Sequence, residues 1–231
     1  MTAPLAISHH PGEDLVAAYA AGALDEASAL AVATHMTLCP ACRRQAAGYE
    51  ALGGTMIDAL PEAVLRQGAL AATLARAKAS SPPAKPTPVT KPTPAAQPAR
   101  ARQSVAMLPA PLRRYVGGDV DAARWLALGR GIHHMPLVTD DGATARLLRI
   151  APGRAVFAHG HGGTELTLVL RGSFTSMGAR FVRGDIEVAD ESVNHHPVAG
   201  TEDVCVCLVV TDAPLRFDGW LGRLMQPFIG I

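Results

Sequence analysis

Residues 153–172 read GRAVFAHGHGGTELTLVLRG, and their spacing decides the fold of the second half of the chain. The pattern is Gly153-x5-His159-x-His161-x3-Glu165-x6-Gly172. Two residues apart on a strand, His159 and His161 share one face. Glu165 joins them from beyond the neighbouring turn. A later histidine, His195 or His196, follows another short strand (Asp185–Ala189) and would complete the set. Three imidazoles and a carboxylate suit Zn, Mn, Fe or Ni by ligand type alone. A polar His-rich loop is the plain alternative, and the long, regular spacing counts against it.

Outward from this stretch the period stays near two. The runs ARLLRIAP, ELTLVLRG, DIEVAD and DVCVCLVVTD are short, β-rich and bounded by Gly, Pro, Asp or Asn. Several strands so spaced predict an antiparallel sandwich or barrel. Upstream, residues 81–100 read SPPAKPTPVTKPTPAAQPAR, with seven prolines in twenty positions. Proline fixes φ and removes a donor, so neither helix nor sheet runs through. The segment is predicted to be an extended spacer, with a proline-motif docking site as the minor alternative. The resulting division is 1–80, a linker over 81–105, and 106–231.

The first part is Ala-rich and poor in β-branched residues, which predicts helices. A short helix over Glu13–Ala21 ends at Gly22. Asp25 caps a second helix running to about Met36. Pro40 suits the first position of a third, ended by Gly53-Gly54 near Leu52. A fourth is predicted over about Pro61 to Ala79, with Val64, Leu65, Leu70, Leu74 and Ala75 near one stripe and Gly68 weakening it. The apolar stretch Leu15–Ala33 is broken by Gly22 and carries Asp25 and Glu26, so it reads as soluble helices rather than a membrane span.

Within this part THMTLCPACRR contains His35-x3-Cys39-x2-Cys42. Offsets of four and three bring the side chains to one side of a helix–turn–helix junction. Cysteines at a helix start are favoured as thiolates. One imidazole and two thiolates form a soft set suited to tetrahedral zinc. A fourth ligand is missing, and His9 or His10 could supply it. Buried core thiols, or a redox C-x2-C, are the competing readings. A helical unit this small buries little core, and structural zinc contributes on the order of 10 kcal/mol to such peptides, so metal would decide whether the unit folds.

Composition narrows the function. The 231 residues carry 21 Lys+Arg against 20 Asp+Glu and 4% aromatics. That balance argues against a surface that neutralises phosphates or stacks bases, so direct DNA binding is not expected. Four cysteines are too few for a disulfide scaffold. The N-terminus has no basic n-region and no apolar h-region, which predicts no export, no membrane association and a cytoplasmic protein.

Gly153–Gly172 resembles the first motif of the cupin superfamily in every fixed position, and Gly184-Asp185 with His195 resembles the second. The cupin resemblance implies a small β-barrel holding one metal through His159, His161, Glu165 and His195. His195 is preferred because the related pattern places the ligand two residues before a proline, here Pro197. The whole chain is similar to the ChrR-type zinc anti-sigma factors, carried by Ala18–Ala27 (AYAAG-x-L-x-E-A), Val32–Arg43 (VATHMTLCPACR) and the closing GRLMQPFIGI. That resemblance implies an α+β two-domain chain, with a small zinc-stabilised helical bundle before a cupin β-barrel. It implies zinc at His10, His35, Cys39 and Cys42, and a second zinc, or another divalent metal, in the cupin. It further implies a non-enzymatic protein that binds and inhibits an extracytoplasmic-function sigma factor, in a complex of about 1:1, until oxidative stress such as singlet oxygen releases it. The alternative is a cupin-type metal-dependent oxygenase.

Smaller expectations concern single residues. Cys205 and Cys207 share a strand face as a buried pair, or alternatively a redox-responsive one. His133-His134 is expected at the surface or a strand edge, and Trp125 and Trp220 in core packing. Arg43 and Arg44 form a solvated face or meet an acidic partner surface.

Overall fold

The computed structural model describes residues 6–80, 106–129, 131–139 and 142–217. The linker, Trp220 and the closing GRLMQPFIGI lie outside the described residues. Residues 1–54 and 106–231 make one compact unit, and residues 55–105 make a second.

Helix α1 spans Glu13–Ala20 and is followed by Gly22 at φ +67°. Helix α2 spans Glu26–Leu38, and the Asp25 carboxylate accepts the Ser28 N–H at 2.9 Å, the expected N-cap. Helix α3 spans Pro40–Asp58 and continues through Gly53-Gly54. The predicted stop there is wrong: the two glycines cost helix propensity, but neither adopts a left-handed φ. Helix α4 spans Ala69–Ser80, eight residues later than expected from Pro61. Gly68, at φ +81°, forms the break. Helix α5 spans Ala110–Val116.

The strands are β1 (Leu126–Gly129), β2 (Ile132–Leu137), β3 (Thr144–Ile150), β4 (His159–His161), β5 (Glu165–Arg171) and β6 (Ser173–Ser176). They continue as β7 (Ala179–Val182), β8 (Ile186–Ala189), β9 (Asn194–His195), β10 (Val198–Ala199), β11 (Cys205–Thr211) and β12 (Leu215–Phe217). They form a six-stranded sheet, β1-β2-β3-β11-β5-β8, and two three-stranded sheets, β10-β6-β7 and β12-β4-β9. Pairing is antiparallel throughout. His133 and His134 lie on β2, which is bonded on both sides, so they are not on an edge.

The register explains the two cores. On one face of the large sheet, Ala145, Leu147, Leu166, Leu168, Val206, Leu208 and Val210 pack against Ala27, Leu30 and Ala31 of α2 and Leu112 and Val116 of α5. Tyr115 ties the two helices by donating its hydroxyl to Glu26 at 2.6 Å. Trp125 is half-buried against this cluster. On the opposite face, Ile150, Val169, Cys205, Cys207 and Val209 meet Phe174 and Phe181 of the β6–β7 hairpin. Covered on both faces, β11 is buried at every position, so its residues Cys205–Val210 are apolar throughout and do not alternate with the period of two expected of the run. A third, smaller cluster joins Val16, Val32, Met36, Cys39, Cys42 and Ala46.

Candidate metal centres

Four side chains meet beside the smallest core. His10 arrives on the segment before α1, His35 from the last turn of α2, and Cys39 and Cys42 from the α2–α3 junction. One donor atom of each lies within 4.8 Å of the others. His10 Nδ1 is 3.5 Å from Cys39 Sγ and 3.4 Å from Cys42 Sγ, and His35 Nε2 is 3.3 Å from Cys42 Sγ. Tetrahedral zinc with bonds of 2.0–2.3 Å would separate its ligands by about 3.3–3.8 Å, so the donor set and its spacing fit that ion. His35 Nδ1 donates to the Gly184 carbonyl at 2.8 Å, which leaves the Nε2 lone pair facing the thiols. Burial pushes the Cys42 thiol up to about 11, helped by its hydrogen bond with Cys39. Without a cation the thiolate is disfavoured there, and a bound cation inverts that preference. His9 is turned elsewhere: its ring lies on Phe181, centroids 4.3 Å apart, with Nδ1 3.4 Å from Asp185.

The second group sits on the inner face of the sheets and is wholly buried. His159 and His161 stand on β4, Glu165 opens β5 and His195 closes β9. The pairing of β4 with β9 places His159 directly opposite His195. Their Nε2 atoms are 3.1 Å apart, and His161 Nε2 is 3.2 Å from His195 Nε2. Glu165 lies 3.8 Å from His159 Nε2 and 3.9 Å from His195 Nε2. His159 Nδ1 donates to the Phe157 carbonyl at 2.7 Å, so its Nε2 presents a lone pair. His195 Nδ1 meets Ser176 Oγ at 3.0 Å and Glu187 at 3.5 Å, which likewise turns Nε2 inward. Lone pairs converging at such distances repel unless a shared cation lies between them, so three nitrogens and a carboxylate fit a divalent metal. Desolvation, then the neighbouring His159, lowers His161 to about 4, and burial raises Glu165 to about 7. His196 is exposed.

Beside this group lies an apolar cavity of about 90 Å³, walled mainly by Leu148, Val156, Phe157, Phe174, Val209 and Leu215 and reaching His159 and Glu165. Arg146 and Cys207 also line it. The Sγ atoms of Cys205 and Cys207 are 3.5 Å apart and buried, and the Cys207 thiol is held well above its ordinary value by its hydrogen bond with Cys205 and by burial. Both remain thiols.

Several supporting groups went unseen in the sequence. Glu187 carried a usable signal, because it lies two residues beyond Asp185 in the strand that precedes His195. Ser176, the Phe157 carbonyl and the Gly184 carbonyl carried none. Arg43 and Arg44 are exposed, and Arg43 also donates to the Met36 carbonyl near the end of α2.

Two family models match the chain. Residues 114–214 match the ChrR Cupin-like domain, and residues 13–43 match a family described as “Putative zinc-finger”. The chain is 43% identical to the anti-sigma-E factor ChrR of Cereibacter sphaeroides over 227 residues, 98% of this chain and 100% of that protein. It resembles a chain in the crystal structure of Rhodobacter sphaeroides SigE in complex with the anti-sigma ChrR, at TM-score 0.74 and 40% identity, over 90% of this chain and 100% of that one. With both signature segments in order and relatedness along nearly its whole length, the chain belongs to the ChrR family of anti-sigma factors.

Proposed function

We propose that this chain binds an extracytoplasmic-function sigma factor in about a 1:1 complex and withholds it from RNA polymerase. The role is regulatory, not catalytic. The observation that carries it is an unburied apolar row in a chain related to an anti-sigma factor over 98% of its length. Within residues 55–80, Met56, Ile57, Leu60, Val64, Leu65, Leu70 and Leu74 are all at least half exposed. Leu70 and Leu74 are one turn apart on α4, the spacing of a helix that lays an apolar face on a partner. Surfaces of this kind mark protein interfaces.

The reading extends to the metals. His10, His35, Cys39 and Cys42 hold one zinc ion, which fixes the ends of α2 and α3 and the segment before α1 as part of a helical bundle. His159, His161, Glu165 and His195 hold a second divalent ion, zinc in the first instance, inside a cupin barrel. The organisation is a binding part over 1–80, a linker over 81–105 and a sensing part over 106–231. The signal is an oxidant of the singlet-oxygen class acting at the second centre in the cytoplasm. No described helix is long and apolar enough to cross a membrane. A hundredfold weakening of sigma binding requires a coupling of about 2.7 kcal/mol.

Co-expression with the partner sigma factor tests the reading. Leu70→Glu with Leu74→Glu should abolish co-purification while both metal ions stay bound. Retention of the sigma factor by that double variant would overturn the proposed contact surface.

A further inference from the structure

The two metal groups are physically joined by one short piece of chain, Gly184–Glu187. At its first residue the Gly184 carbonyl accepts the His35 imidazole at 2.8 Å, with both groups buried. Next, the Asp185 carboxylate, fully buried, accepts the backbone N–H of Ser8 at 2.7 Å and of His9 at 3.0 Å through one oxygen. Its other oxygen accepts the Val182 N–H at 2.9 Å. Ile186 then donates its N–H to the His9 carbonyl at 3.2 Å. The segment that presents His10 is therefore stitched to this turn by three hydrogen bonds, between Ser8 and His9 on one side and Asp185 and Ile186 on the other. At the far end Glu187 lies 3.5 Å from His195 Nδ1 and pairs across the sheet with Thr167, two residues from Glu165.

Gly184 shows how close the approach is. At φ +98°, a Cβ there would fall 2.5 Å from Ile7 Cδ1. A side chain would force apart the turn and the N-terminal segment.

We propose that Gly184–Glu187 is a coupling element through which the state of the second metal group sets how tightly the first holds its metal. This rests on the metal reading above and deepens it by naming the route of regulation. The element touches His35 directly and holds the segment of His10, two of the four ligands of the first group. It touches His195, one of the four of the second. Three residues of strand span about 10 Å, short enough to transmit a shift in β8 to both histidines. Strand β9, which carries His195, is only two residues long, so its position depends on what His195 binds. Losing the second ion frees His195 and Glu187, shifts β8 and the turn, and withdraws the carbonyl that orients His35. Such coupling is reciprocal by linkage: emptying the first group must loosen the second by the same factor.

The test uses the full chain with two zinc ions per chain confirmed by elemental analysis. His159→Ala empties the second group without altering the turn. Zinc release from the first group is timed with a chelator, and thiolate–cobalt absorption after metal exchange reports the same group independently. Release should be about fivefold or more faster in H159A than in the unaltered chain. The ratio should collapse toward one when both chains also carry Asp185→Ala. Ser8→Pro, which removes one N–H donor at an exposed position, should lower the ratio partway and covers the case in which Asp185→Ala does not fold. Equal release rates with the second group verified empty would overturn the coupling, as would a ratio that survives both Asp185→Ala and Ser8→Pro. An unaltered chain carrying fewer than two ions would instead overturn the metal reading, and the coupling with it.

Discussion

The two metal groups are built from opposite materials. The first is soft, two imidazoles and two thiols gathered from helix ends and a terminal segment, with His10 exposed. Its surroundings are thin: Val16, Val32, Met36 and Ala46 form most of the adjoining core. The second is harder, three imidazoles and a carboxylate carried on strands, buried at every ligand and enclosed by sheets with cores on both faces. The contrast teaches that the same number of ligands does different work. On the proposed reading, an ion in the first group would substitute for a hydrophobic core too small to fix three helices. In the second the sheets hold His159, His161 and Glu165, and on the proposed reading the ion would fix chiefly His195 on the two-residue β9.

The largest expected effect breaks the comparison if it fails. Cys39→Ala with Cys42→Ala should cost the helical region several kcal/mol, abolish the first metal and release the sigma factor, while the sheets keep their cooperative thermal transition. Calorimetry and circular dichroism check this, and an unchanged helical signal would mean that the core near Val32 suffices alone. Leu208→Ala probes the other region. Leu208 is fully buried between β3 and β5, so the truncation should cost about 2–5 kcal/mol and lower the transition of the sheets. The thiolate–cobalt spectrum of the first group should survive it.

Acid should separate the groups next. Burial raises Cys42 to about 11, so protons compete for that thiol throughout the neutral range. Each proton displaced by metal weakens binding about tenfold per pH unit lost. Burial and neighbouring imidazoles lower His161 to about 4, and burial also lowers His159, so these rings stay neutral below their ordinary value of 6.5 and compete little. Glu165, raised to about 7, adds at most one proton to the second group. Metal counts between pH 7 and pH 5 should therefore fall first at the thiols, and simultaneous loss would erase the distinction. The smallest effect is Asp25→Ala, which removes the N-cap of α2 and should cost about 1 kcal/mol. It should be visible by thermal denaturation in the chelated protein and masked in the loaded one.

Legibility in the sequence followed the range of the forces involved. His159 and His161 were legible because alternation on a strand is local, and Asp25 because a cap bonds three residues ahead. Gly22 and Gly53-Gly54 look alike as punctuation, yet only Gly22 takes a left-handed φ, and tertiary context decided between them. Helix α4 starts later than the apolar stripe from Val64 onward predicts, because Gly68 at φ +81° breaks the chain there. The choice of His10 over His9 came from family resemblance, and the structure separates them through Asp185 and Phe181, residues more than 170 positions away. The Gly184 and Phe157 carbonyls were illegible because a backbone acceptor has no letter of its own.

Helix α2 meets different neighbours along its sides: Leu30 and Ala31 press on the large sheet, while Val32, His35 and Met36 turn toward the first metal group. One residue inserted between Leu30 and His35 would rotate the imidazole by about 100° and advance it by about 1.5 Å. The length of α2 is therefore as constrained as the residues it buries, and chimaeras joined inside that helix should work only when the parental residue count is kept.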